Sequence, residues 1–299
     1  VIAALLTALA LPAAAQQSPA VCEESWARLA LALPIAVTAE IGTDGPLCVA
    51  ENVEANESFA QIMIDRVTWD GQGLDRFAQD AVPPRSLMLT VERARSVRLT
   101  GDPRTDYVRR AQALNQAVSG RLEMRWDQLT SRLFLDTLTV DFPGENALRM
   151  TAQAGGVDLS SMSALRTSLG SAVVSSMTVD VTTFGLFEAY LLERLVLTAV
   201  APDGDPQTEM SALVTDLSRQ VEALPETSFS AETRSAMIAF LADLPSPGGD
   251  LRITFAADPP FGWIRIVPNW LNAGGARDPE TLLDGVRIRF EYNARPPAQ

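Results

Sequence analysis

The 299 residues carry 37 acidic side chains against 24 basic ones, all arginine, for a net charge of −13 with neither histidine nor lysine. That balance argues against nucleic acid as a partner and against general adhesion to anionic lipid surfaces. The missing side chains exclude more: no Ser-His-Asp triad, Cys-His pair or imidazole metal site, and no Schiff base, Ser-Lys dyad or P-loop. Carboxylate chemistry of the glycosidase kind survives, but no spacing singles out a pair of Asp or Glu. Asp203-Gly204-Asp205 lacks the downstream ligands of a calcium loop and reads as a turn and helix cap. The expectation is a chain that is not an enzyme, with no catalytic residue, cofactor or metal.

In chain order, Val1–Leu11 is uncharged and apolar, and Pro12-Ala13-Ala14-Ala15-Gln16 follows. This matches a signal-peptide h-region with its small-residue site, so residues 1–15 are expected to be a signal with cleavage before Gln16. The basic n-region is missing, so the numbering begins inside the signal or the true start lies upstream. No later apolar run approaches the ~20 residues of a membrane span, and the processed product is expected in the periplasm without a span. Cys22 and Cys48, 26 residues apart, are the only cysteines. An oxidising compartment suits a bridge between them, two unrelated buried thiols being the alternative.

Period-two alternation dominates the remainder, reading as half-buried antiparallel strands. Leu87, Leu89 and Val91 alternate with polar residues, and Val97 and Leu99 continue the same face. Leu122, Met124 and Trp126 alternate, as do Met177, Val179 and Val181, then Leu251, Ile253 and Phe255, then Val286, Ile288, Phe290 and Tyr292. Three helices are signalled by caps. One opens at Asp102-Pro103 with Tyr107, Val108, Ala111, Leu114 and Val118 on one face. A second opens at Asp205-Pro206, with Met210, Leu213, Val214, Leu217, Val221 and Leu224 apolar, and stops at Pro225. The third runs from Ser230 to about Asp243. The tryptophans Trp69, Trp126, Trp263 and Trp270 read as core packing.

Self-similarity suggests a duplication. Gly101-Asp102-Pro103 matches Gly204-Asp205-Pro206, and Val67-Thr68-Trp69-Asp70 before Gly73-Leu74 matches Met177-Thr178-Val179-Asp180 before Gly185-Leu186. Two closing strand pairs follow in the same order. The predicted organisation is an N-terminal disulfide-tied segment (16–58), a first unit (59–150), a second unit (172–292) and a tail (293–299). Each unit is a strand, a short Gly-Leu helix, a strand, a long Asp-capped helix with its Leu114 or Leu217 face on the sheet, and two strands. The fold class expected is α+β: mainly antiparallel, curved sheet with a few amphipathic helices, built from two duplicated units. Charge divides the halves, with ten arginines against five acidic residues from Arg85 to Arg132, and three against nine from Val196 to Phe255. Arg93, Arg95, Arg98, Arg109 and Arg110 form a candidate patch for an anionic partner; Arg93 and Arg95, if turned inward, need carboxylates.

A Thr-Val-Asp strand, a Gly-Leu helix, and Phe240-Leu241-Ala242-Asp243 leading through prolines and glycines into Leu251-Arg252-Ile253 resemble β-rich Gram-negative envelope proteins near the AsmA-like and YdgA-like groups. The resemblance covers roughly Phe59 to Tyr292 and departs from those groups in having a cleavable signal where they have a membrane anchor. It implies a non-enzymatic envelope protein handling an apolar ligand, such as a lipid, on a curved sheet. The alternative is a structural protein that assembles with itself or a partner through its oppositely charged halves.

Overall fold

A computed structural model describes residues 17–31, 36–56, 60–201, 204–262 and 282–295. The expected signal segment, its cleavage site at Gln16, Asp203, Trp263 and Trp270 lie outside these residues. The described residues form ten strands: β1 (Val37–Asp44), β2 (Leu47–Asn56), β3 (Ala60–Asp70), β4 (Ser86–Arg98), β5 (Val118–Asp127), β6 (Arg132–Asp141), β7 (Ala147–Gly155), β8 (Val173–Thr183), β9 (Gly249–Gly262) and β10 (Val286–Ala294). Each pairs antiparallel with its neighbour in the chain, giving one open, curved sheet in the order β1 to β10. The class is α+β.

Eight helices decorate the described part of the sheet: α1 (Pro19–Leu31), α2 (Leu74–Asp80), α3 (Pro103–Ala113), α4 (Met162–Leu169), α5 (Leu186–Tyr190), α6 (Leu192–Ala199), α7 (Pro206–Glu222) and α8 (Ala231–Ala242). The expected caps are in place. Asp102 accepts from the Arg104 N–H, Asp205 from the Thr208 N–H and Ser230 from the Thr233 N–H, each answering a helix donor that has no partner within the helix. A 3-10 turn (Leu114–Gln116) ends α3, and Val118 already belongs to β5.

The densest core lies where α1 and α2 cover β1 to β4. Cys22, Cys48, Ala50, Val53, Val67, Trp69 and Leu74 are buried there, with Trp26, Ile41, Phe77 and Leu89 packed around them. Cys22 of α1 is bonded to Cys48 of β2, with Cα atoms 5.2 Å apart. Beside the bridge, Ser25 is fully buried; its hydroxyl donates to the Cys22 carbonyl (3.2 Å) and accepts from the Trp69 indole N–H (2.9 Å). Trp26 stacks at a tilt on Trp69, ring centroids 5.5 Å apart. The fold therefore ties its first helix to the sheet by one covalent and one polar link inside apolar surroundings.

The proposed units do not share one element order. Both Gly-Leu helices start alike, at Gly73 (φ 87°) and Gly185 (φ 91°), left-handed positions that glycine takes at no steric cost. Beyond them the order parts. The first copy continues into β4 and then α3, whereas the second continues through α6 into α7 and α8 before β9. The short motifs repeat; the architecture around them does not. The sheet also runs unbroken through the expected unit boundary, since Met150 lies inside β7.

Two substitutions test the tie. Ser25→Ala strands the buried indole N–H of Trp69 and is expected to cost about 1–3 kcal/mol, read by urea unfolding. Replacing both cysteines by alanine removes a 26-residue loop constraint and is expected to cost roughly 3 kcal/mol in the same assay.

Candidate functional site

Register across the sheet sorts the side chains into rows. One row follows paired residues from Cys48 through Trp69, Leu89, Leu122, Leu138, Met150, Val179 and Ile253 to Phe290. At about 4.8 Å per strand, these nine residues make a ridge of apolar side chains about 38 Å long. A flanking row on the same face runs Leu87, Met124, Leu135, Ala152, Met177, Phe255, Ile288. Beyond the first row, on the opposite face, comes Thr90, Arg121, Thr139, Arg149, Asp180, Arg252, Glu291, in which Arg121 pairs with Glu123 and Glu291 with Arg289 along their strands and Arg252 pairs with Asp180 across. Period-two geometry thus makes one face apolar from β2 to β10 and the other polar.

Cover on the apolar face is uneven. At its first edge α1 and α2 bury Cys48 and Trp69 completely, and at its last edge α8 sets Phe240 edge-on against Phe290 and Tyr292. The Tyr292 hydroxyl donates to Asp243 (2.7 Å), and burial together with that carboxylate pushes its pKa up to about 12. Between the edges the same rows are only half-buried: Leu122, Leu138, Met150, Val179 and Ile253 all keep solvent exposure. The described helices pack chiefly on β1, β2, β4 and β10. Across β5 to β9 the face is an apolar surface that none of the described helices covers.

Helix α3 corrects an expectation. Its Leu114 face does not lie on the sheet: Tyr107 is 73% exposed, Val108 51% and Leu114 46%, while Asp106 and Ala113 are buried instead. The reason lies in β4, where Arg93 is left-handed (φ 55°) and the register with β5 slips by one residue. One extra residue moves everything after it to the opposite face. Val97 is therefore buried away from Leu87, Leu89 and Val91, paired in register with Gln61 under α3. The Leu217 helix, α7, likewise packs on α8 and α6, and it is α8 that lies on β10.

The arginine patch divides in two. Arg93 and Arg95 both bind Asp65, Arg93 at 2.9 Å, so each has the carboxylate that the sequence demanded. Arg98, Arg109 and Arg110 gather around α3, where Arg109 donates to the Arg98 carbonyl (2.9 Å) and Arg110 to the Gln61 side chain (3.0 Å). A depression of about 410 Å³ on the polar face, lined by Arg149, Asp180, Arg252 and Glu291, is a second candidate. Three of these charges are paired: Arg252 donates to Asp180, which raises the Arg252 pKa further, and Glu291 pairs with Arg289. The ion pairs described are local, reaching no further across the sheet than the next strand but one, and among them none joins the basic stretch to the acidic one. No protein-family model and no curated protein matches the chain.

The Arg95 and Arg93 hydrogen bonds hold the Asp65 carboxyl below its ordinary value of 3.8. A depressed folded pKa contributes stability that is present above the unfolded value and lost as pH falls through the folded one. Asp65→Asn is expected to lower stability at neutral pH by about 1 kcal/mol or less, the carboxylate being partly exposed. It should also remove part of the loss on acidification below about pH 4, as read from urea unfolding across a pH series.

Proposed function

We propose that this chain is a non-enzymatic protein of the bacterial envelope, working in the periplasm, whose sheet shelters an apolar ligand such as a lipid. The observation that carries the reading is the row from Cys48 to Phe290: apolar throughout, covered by helices at its two edges and uncovered by the described helices between them. A sheet face of this kind in water is costly unless something apolar lies on it. The Cys22–Cys48 bridge fits an oxidising compartment. No helix of the described residues is long and apolar enough to cross a membrane. By geometry the ligand's central contacts are Leu138 and Met150, the pair midway between the covered edges.

Native mass spectrometry after mild purification from an envelope fraction tests the reading. Co-purifying lipid is expected with the native chain and is expected to be lost from Leu138→Asp, whose half-exposed position tolerates a charge; circular dichroism checks that the variant folds. A lipid-free oligomer would overturn the reading in favour of a structural protein that assembles through its oppositely charged halves.

A further inference from the structure

In a sequential antiparallel meander every second connection falls at the same end of the sheet. The β4–β5 connection, with α3 and its 3-10 turn, therefore shares an end with the β8–β9 connection, which starts with α5 and α6. Nine large apolar side chains are exposed among the described residues, and six of them stand on these two connectors. Tyr107, Val108 and Leu114 belong to the first; Tyr190, Leu191 and Leu197, the last 76% exposed, belong to the second. Of the remaining three, Leu129 and Leu169 lie on connections at the opposite end and Leu31 closes α1. Singly exposed apolar residues need no explanation; their collection at one end of the sheet does. The Tyr190 ring also meets Phe142 of the β6–β7 turn, centroids 5.2 Å apart, which fixes α5 at that end.

Charge selects the surface that this end fits. From Arg98 to Leu114 the chain carries four arginines and two aspartates, within a protein that is otherwise strongly acidic. Both aspartates are engaged in the local turn: Asp102 caps α3, and Asp106 accepts from the Thr100 N–H (2.7 Å) and the Gly101 N–H (3.2 Å). The Arg104 side chain is 95% exposed and stands on the outward side of α3 with Tyr107. We propose that this end of the sheet docks on a lipid bilayer, its tyrosines and leucines entering the headgroup layer while the α3 arginines meet lipid phosphates. Tyrosine and arginine both present an apolar body with a polar tip, the chemistry that suits an interfacial layer. The attraction is confined to the α3 side of this end, because the β8–β9 connector beside it carries Glu188, Glu193, Asp205 and Glu209, and the net charge of −13 keeps the rest of the molecule off the surface. Docking goes beyond the ligand reading and stands without it.

Flotation of the full chain with vesicles of phosphatidylethanolamine and phosphatidylglycerol is the test. The native chain is expected to float with the vesicles. The combined Tyr107→Ser, Leu114→Ser, Leu191→Ser and Leu197→Ser variant is expected to lose binding about tenfold or more with unchanged circular dichroism. Arg104→Glu alone is expected to weaken it about fivefold or more. Native chain that stays with the soluble fraction, or a quadruple variant that floats equally well, overturns the proposal. So does a native dimer that the quadruple variant converts to monomer without vesicles, which would make this end a self-association surface. Native mass spectrometry of the quadruple variant keeps the two readings apart. Retained lipid with lost flotation separates docking from the sheet site, and flotation of a lipid-free native chain would fail the ligand reading alone.

Discussion

A ten-stranded sheet keeps one apolar and one polar face only if its registers agree, because a slip of one residue exchanges the faces. The structure meets that constraint with irregularities that neighbouring strands share. Asn52, Asp65 and Arg93 occupy one cross-strand position on β2, β3 and β4, between pairs that are otherwise in step. The extra residue enters between β1 and β2 and leaves between β4 and β5. Asn52 and Arg93 take the left-handed conformation that such an insertion requires, and the Arg93 N–H, drawn off the ladder, donates to the Ser119 hydroxyl. Asp65, held between Arg93 and Arg95, settles the charge of that row. The ridge from Cys48 to Phe290 runs beside this shared step, and the turn of Val97 and the seat of α3 beyond it follow from it.

The edges of the sheet are treated differently, and the difference shapes the open face. At β10 the chain before α8 comes alongside: Phe229 bridges to Ile288, and the Ile288 N–H donates to the Ser228 carbonyl (2.9 Å). At β1 the first helix lies over the face and is held by the bridge to β2. Helical cover therefore sits over both margins, and the apolar rows are left uncovered by described helices where the strands are most central. That inverts the ordinary arrangement, in which central strands are the most buried part of a sheet.

Most of the strands were legible because alternation is a local property; each of the five alternating runs from Leu87 to Tyr292 falls in a strand, Leu99 alone lying one residue past the end of β4. The caps at Asp102, Asp205 and Ser230 were legible for the same reason. Strands β1, β2 and β7 were not, since Glu51-Asn52 interrupts the pattern of β2 and the alanines of β7 are too small to mark a face. The burial of α3 was misread because its Tyr107, Val108 and Leu114 stripe looks like a core face. Only the bulge at Arg93, which leaves no trace in hydrophobic spacing, decides that the opposite side of the helix turns inward. The open apolar face is a product of register between strands far apart in sequence, so no single segment announces it. The repeat was a true likeness of short motifs, a glycine start and an Asp-Pro cap, carried by different surroundings.

Strand order that follows chain order also governs how the molecule can be assembled. Each strand pairs with the one just made, so contacts are local and loop-closure costs stay small, the circumstance that favours rapid folding. A chain emerging N-terminus first holds everything needed for the α1–β4 core once Arg98 is free, including both cysteines. Five of the six remaining strand-to-strand steps need no distant partner. The step from Thr183 to Gly249 is the exception, because four helices must be accommodated before β9 can join β8. Growth of the sheet should pause there, with the edge of β8 waiting for its neighbour.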